Sequence, residues 1–254
     1  MVTVLCSLFM ADAYIEKYLE NLASQDCQDQ LEYMFVLVNP SARVRDQIAD
    51  FQEAHQRSKV FVSRELITIY EAWNWGIRHS TAPYITNANA DDTRRSDSMR
   101  IQMRILETNP EVDVAYQDYW FALEPHLPWR YYEELGHRTQ LLPVTPVRLL
   151  NEMNGPHCAP MWRRSLHDEL GLFDSSFQAQ GDNDFWFRCA LAGKKFMKGD
   201  DVHVAYFANP GGMSTKANGP ANLEGERLRR RYWTPARESR FNIGRDLNRS
   251  GTST

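Results

Sequence analysis

Residues 84–95 read YITNANADDTRR: a short apolar run gives way within five residues to Asn89, Asp91 and Asp92, and then to two arginines. An apolar run bounded by polar turn residues reads as a buried strand. A strand ending on amides and carboxylates puts oxygen donors at the carboxyl edge of a sheet, where open α/β folds hold their ligands. Two carboxylates there can ligate Mg²⁺ or Mn²⁺, with water and a diphosphate completing the shell. The same letters suit a plainer reading, in which Asp92 or Thr93 caps a helix over roughly 94–108 and the carboxylates merely favour its dipole. Met99, Met103, Ile105 and Leu106 recur along that segment, and Asn109 and Pro110 stop it.

Upstream, strand and helix patterns alternate. Residues 2–9, 33–39 and 59–63 read as strands, and residues 12–23, 42–55 and 71–80 as helices, the first with Tyr14, Ile15, Tyr18, Leu19 and Leu22 on one face. This order predicts a mostly parallel sheet covered by helices. Downstream, VDVAYQDYWF (112–121) reads as one strand, with Tyr116, Asp118, Tyr119 and Trp120 at its edge, and residues 122–156 as a proline-rich excursion with one short helix. Gly171 and Gly193 are placed to end helices. Residues 202–208 form a late strand, followed by the glycine-rich loop NPGGMSTKANGP (209–220) and the basic helix ERLRRRYW (226–233).

With 254 residues, 43% of them hydrophobic, the chain can bury one substantial α/β core. A net charge of -4 gives no global attraction to nucleic acid, and none is expected as a partner. Cys6, Cys27, Cys158 and Cys189 are too scattered for a metal pair or a disulfide framework, which points to a reducing compartment. No apolar run approaches the roughly 20 residues that cross a bilayer, and the N-terminal run lacks a basic leader and a cleavage site. Eight arginines lie between residues 225 and 254. They read first as a solvated terminal helix with a frayed tail, and second as a contact for an anionic acceptor or membrane surface.

A second acidic site lies in GDNDFWFRCALAG (181–193), where Asp182 and Asp184 precede an aromatic helix. They read as ordinary caps or, if one faces a crevice, as a base that accepts a hydroxyl proton. Trp73, Trp75 and Tyr70 could stack on a base or sugar, but their helical spacing favours core packing. His157 and Cys158 are adjacent without an orienting third group, so a thiol nucleophile is disfavoured.

Taken in order, TVLCSLFMADAYIEKYLENLASQ (3–25), EYMFVLVNPS (32–41), YEAWNWGIRHSTAPYITNANADD (70–92) and MWRRSLHDELGLFDSSFQAQGDNDFWFRCALAGKKF (161–196) resemble a family 2 glycosyltransferase of the GT-A fold. The likeness covers about residues 2–120 and 158–215, and rests on the order and spacing of motifs that are individually weak. It implies a GT-A catalytic domain over 1–215, with a nucleotide-sugar half (1–120) and an acceptor half (121–215), and a basic helix with a flexible tail over 216–254. The activity implied is inverting hexosyl transfer from a nucleotide-diphosphate sugar, with Mn²⁺ or Mg²⁺, to a carbohydrate or glycoconjugate acceptor in polysaccharide or glycoconjugate synthesis. The implied setting is the cytoplasm, with peripheral contact at the inner face of a membrane through the basic segment.

Carried over by position, Asn39 contacts the base or ribose, Asp91 binds the metal, and Asn89 lies near the ribose or diphosphate. Asp92 orients the site or assists the metal, Asp182 is the general base, and Arg188 pairs with a carboxylate or reaches phosphate. Ser214 and Lys216 contact the diphosphate if the loop after the last strand closes as a lid. Three positions depart from the pattern: Asn89 replaces an aspartate, Gly181 stands where an acidic residue often precedes the base, and Asn209 sits near a frequent histidine position. His203 is a candidate substitute metal ligand. The departures keep a second function in view, a sugar-nucleotide or carbohydrate-binding protein with little or no turnover on the same fold.

Overall fold

The structure, a computed structural model, describes residues 1–152, 155–213, 215–216 and 219–249. In chain order the first half comprises β1 (Val2–Phe9), α1 (Ile15–Ala23), β2 (Leu31–Val38), α2 (Ala42–Ala54), β3 (Ser58–Ser63), α3 (Ile69–His79), β4 (Tyr84–Asn87), β5 (Thr93–Arg94), α4 (Ser98–Thr108) and β6 (Val114–Tyr116). The second half adds β7 (Tyr119–Ala122), α5 (Trp129–Leu135), β8 (His137–Thr139), α6 (Pro146–Glu152), β9 (Met161–Arg163), α7 (Leu166–Leu170), α8 (Gly181–Leu191), β10 (Phe196–Lys198), β11 (Val204–Phe207) and α9 (Pro220–Arg249).

Seven strands form the main sheet in the order β10-β6-β9-β4-β1-β2-β3, parallel except where β9 runs against both neighbours. Strand β1 shows why both faces are covered. Val2, Val4, Cys6 and Leu8 pack with α1, α2 and α4, whereas Leu5 packs with α3, α6, α7, α8 and α9. Alternate side chains thus enter opposite apolar layers, as a parallel sheet requires. Thr68 and Ser41 cap α3 and α2 through side-chain oxygens, each such cap contributing about 1 kcal/mol.

A smaller sheet, β5-β11-β7-β8, lies beyond the end of β4 and corrects three expectations. Residues 93–94 form a strand paired with β11 rather than a helical first turn, and α4 starts only at Ser98. The stretch 112–121 is two strands in different sheets, divided at buried Gln117 and Asp118. Asp118 is an anchor rather than an open acceptor edge, because it accepts from Arg138, Lys198 and the Leu141 amide. Between residues 122 and 152 there are two short helices and a strand, not one helix. The terminal helix is also less solvated than expected, since Leu228, Tyr232 and Ala236 enter the second core layer. Gly171 and Gly193, both at positive φ, follow α7 and α8 as anticipated. Residues 250–254, read as a frayed tail, lie outside the described residues. Among those described, no helix is long and apolar enough to cross a membrane.

One buried carboxylate locks the strand entries together. Glu32 accepts from the Thr3 hydroxyl, the Thr81 amide (2.7 Å) and hydroxyl (2.8 Å), and the Ala82 amide (3.0 Å). Burial opposes its ionisation, but these donors outweigh burial and hold its pKa below the ordinary value. A depressed folded pKa contributes stability that is present above the unfolded value and lost as pH falls through the folded one. Glu32→Gln is therefore expected to cost about 1–3 kcal/mol at pH 7. Urea unfolding should show the gap to wild type narrowing at acid pH.

Candidate active site

The chain leaves β4 through Ala88, whose amide is still held by the Leu5 carbonyl at 2.9 Å, and turns sharply over Asn89 to Asp92. Asn89 Nδ2 donates to Asp92 Oδ2 at 2.8 Å, and the Phe207 amide donates to Asp92 Oδ1 at 3.1 Å. The Cys158 thiol lies 3.6 Å from Asp92 Oδ2. With both oxygens engaged and little exposure, Asp92 organises the turn. Burial, reinforced by the charge of Asp91, raises its pKa to about 7.

Asp91 is half-buried and receives Asn209 Nδ2 at Oδ2 (3.3 Å). Asn209 also accepts from the Gly211 amide and so joins the loop after β11 to the acidic turn. Its role could not be read from the sequence beyond its departure from histidine. Lys216 is exposed in that loop, and Ser214 lies outside the described residues. His203 is not gathered with Asp91 and Asp92: it is buried, its Nδ1 lies 2.8 Å from Ser98 Oγ, and burial together with Arg94 and Arg95 lowers its pKa to about 4. Among the described residues no three His, Cys, Asp or Glu side chains form a metal-binding group. The donor set that remains, Asp91 with neighbouring amides, fits an ion such as Mg²⁺ that takes one or two carboxylates and completes its shell from substrate phosphate.

Asp182 lies in the first turn of α8. Tyr70 Oη donates to its Oδ1 at 2.9 Å, and burial raises its pKa while this hydrogen bond opposes the rise. The glycine before it has a steric cause: a Cβ on Gly181 would fall 2.7 Å from the Tyr70 ring. The tyrosine fills the space that an acidic side chain was expected to need, and it supplies the polar contact to Asp182. Tyr70, expected to be mainly a packing residue, thus does both. Arg188 takes the first of its two anticipated roles, with Nε on Asp184 at 3.0 Å and its other nitrogens on the Leu170, Gly171 and Leu172 carbonyls.

The two acidic sites share one end of the sheet. Helix α3 follows β3 and precedes the parallel β4, so its first turn, with Tyr70, lies at the carboxyl edge. Asn39, exposed at φ 46 after β2, lies at that edge too. A four-residue segment spans the sites: the Gly155 amide donates to Asn183 Oδ1 beside the base, and Cys158 reaches Asp92. Three peptide steps extend at most about 11 Å, so this segment ties the acidic turn to the start of α8 at the same end of the sheet.

A sequence model described as glycosyl transferase family 2 matches residues 3–171. No curated protein matches in sequence. Solved structures that resemble the chain include TarS of S. aureus in complex with UDP-GlcNAc, with a TM-score of 0.66 and 15% identity over 85% of this chain and 61% of that one. Another is the mannosyltransferase PcManGT from Pyrobaculum calidifontis in complex with GDP-Man and Mn²⁺, with a TM-score of 0.60 and 18% identity over 83% of this chain and 58% of that one. At these identities the likeness establishes the GT-A fold. The chain spans between 37% and 61% of the length of the structures it resembles.

Two substitutions test the local geometry. Gly181→Ala should cost about 1–3 kcal/mol through its collision with Tyr70. Tyr70→Phe should move the Asp182 titration, followed by carbon-13 NMR, to higher pH, because it removes a hydrogen bond that favours the ionised carboxyl.

Proposed function

The chain belongs to glycosyl transferase family 2, and on that premise we propose that it transfers a hexosyl group with inversion from a nucleotide-diphosphate sugar to an acceptor hydroxyl. The supporting observation is that the segment 155–158 touches Asp92 at one end and Asn183 at the other, next to Asp182, which Tyr70 braces; in this reading Asp91 and Asp182 face one crevice. Asp182 removes the proton of the acceptor hydroxyl. The acceptor oxygen forms its bond to the anomeric carbon from the face opposite the diphosphate, and the bond to the diphosphate oxygen breaks, that oxygen keeping the electron pair. A single carboxylate base fits a single displacement. The raised pKa of Asp182 suits it to hold that proton.

Asp91, with Asn89 and Asn209 beside it, would hold Mn²⁺ or Mg²⁺. The ion would supply positive charge against the departing diphosphate. Asn39 borders the base or ribose, and Lys216 is carried on a loop tethered to Asp91 through Asn209. The same reading divides the chain into a donor half (1–120), an acceptor half (121–215) and a C-terminal segment, and sets it in the cytoplasm. Polysaccharide or glycoconjugate synthesis is the proposed process, with the terminal arginines available to an anionic membrane face. Asn89, in place of an aspartate, favours a second reading: a protein that binds sugar nucleotides with little turnover.

A panel of UDP-, GDP-, dTDP- and CMP-sugars, assayed for binding heat and slow donor hydrolysis with and without Mn²⁺ or Mg²⁺, separates the two. Transfer chemistry predicts metal-dependent binding of one donor, lost in Asp91→Ala. Asp182→Ala should keep binding and lose about 100-fold or more in turnover. Binding without hydrolysis in the wild type would favour the second reading, and no binding at all would overturn both.

A further inference from the structure

Just ahead of α8 the backbone N–H groups of Gln178, Ala179 and Gln180 converge on a single side chain. Glu224 accepts from Gln178 through Oε1 (2.7 Å) and from Ala179 and Gln180 through Oε2 (2.8 and 3.0 Å). Three successive amides of this kind form an anion-binding concavity, and the positive end of the following helix adds to it. The chain fills it with its own carboxylate, delivered from α9 more than forty residues away.

The rest of α9 keeps that carboxylate in place. Arg231 Nη1 and Tyr232 Oη donate to Asp184 Oδ1 at 2.6 and 2.8 Å, and Arg227 bonds Ser176 and lies 4.2 Å over the Phe177 ring. Leu228 and Ala236 are fully buried beneath. The helix therefore grips both flanks of the segment that presents Asp182, and Glu224 binds the three residues 178–180 between the Phe177 grip and the base.

We propose that Glu224 is a positioning residue for Asp182: by filling the amide concavity ahead of α8, it fixes the backbone that presents the base and places a negative charge beside it. The inference rests on the transferase reading and deepens it. Groups facing Asp182 from neighbouring elements are Tyr70 on α3 and Glu224 on α9. On its own helix, Asp184 is matched by Arg188, Arg231 and Tyr232. Of these, the unmatched charge nearby is that of Glu224, which disfavours the ionised base.

The test uses the full chain with Glu224→Gln, Glu224→Asp and the control Glu226→Gln, which removes a charge from the same helix at an exposed pair with Arg230. In ligand-free protein, Glu224→Gln should move the carbon-13 titration of Asp182 to lower pH and speed amide exchange at residues 178–180 about tenfold. Glu224→Asp should loosen the amides yet return the titration toward wild type, a rescue by charge that a merely structural role would not give. With UDP-GlcNAc and GDP-mannose as donors and Mn²⁺ present, the acidic limb of hydrolysis should shift to lower pH in Glu224→Gln, with the plateau rate about tenfold down. Glu226→Gln should match wild type throughout. An unchanged Asp182 titration in Glu224→Gln and Glu224→Asp overturns the proposal. A shifted titration in a protein that hydrolyses neither donor instead supports the positioning and counts against the transferase reading.

Discussion

Arg94 is the constraint on which the site depends. Its guanidinium is almost wholly buried and reaches Thr86 and the Asn87 carbonyl at the end of β4, and Ser98 and Gln102 on α4. Its backbone is clasped by Asn21 of α1 and paired with β11. One residue thus joins the main sheet, the small sheet and two helices within two positions of the acidic turn. No carboxylate forms an ion pair with it among the described residues, so neutral acceptors carry the cost of burying its charge, and burial lowers its pKa to about 10. At neutral pH it stays charged, and its field reaches Asp92.

With the turn held in this way, the departures at the two acidic sites have physical counterparts. Asn89 replaces a carboxylate but donates to Asp92, so it supports the turn instead of adding to the repulsion between Asp91 and Asp92. Gly181 makes room for a ring whose hydroxyl engages Asp182. Asn209 stands where histidine was expected and reaches Asp91 all the same. At each of these positions one polar contact stands in place of another.

Strands β1 to β4 of the main sheet were legible in the sequence because their signals are local, an apolar run in β1 and an i, i+3, i+4 stripe in α1, whereas the three-residue β9 and β10 were not. Of the small sheet only β11 was read as a strand of its own, over 202–208; β5, β7 and β8 run two to four residues and are set by long-range partners. Arg94 looked like the first turn of a helix, since nothing beside it in the chain announces Thr86 or β11. In the site, Asp91 and Asp182 stood out as carboxylates at element ends. Tyr70 and Glu224 did not, because their contacts span 112 and 44 to 46 residues. An absent side chain at Gly181 was the one clue to the ring packed against it.

Anomalous diffraction from a crystal grown with Mn²⁺ and UDP tests most directly whether the two acidic sites open on one crevice. The expected result is one strong manganese peak at the Asp91 carboxylate, with the diphosphate beside it and the Asp182 carboxyl facing the space beyond the diphosphate. A manganese ion and nucleotide bound away from Asp91, or a diphosphate separated from Asp182 by packed protein, would contradict it.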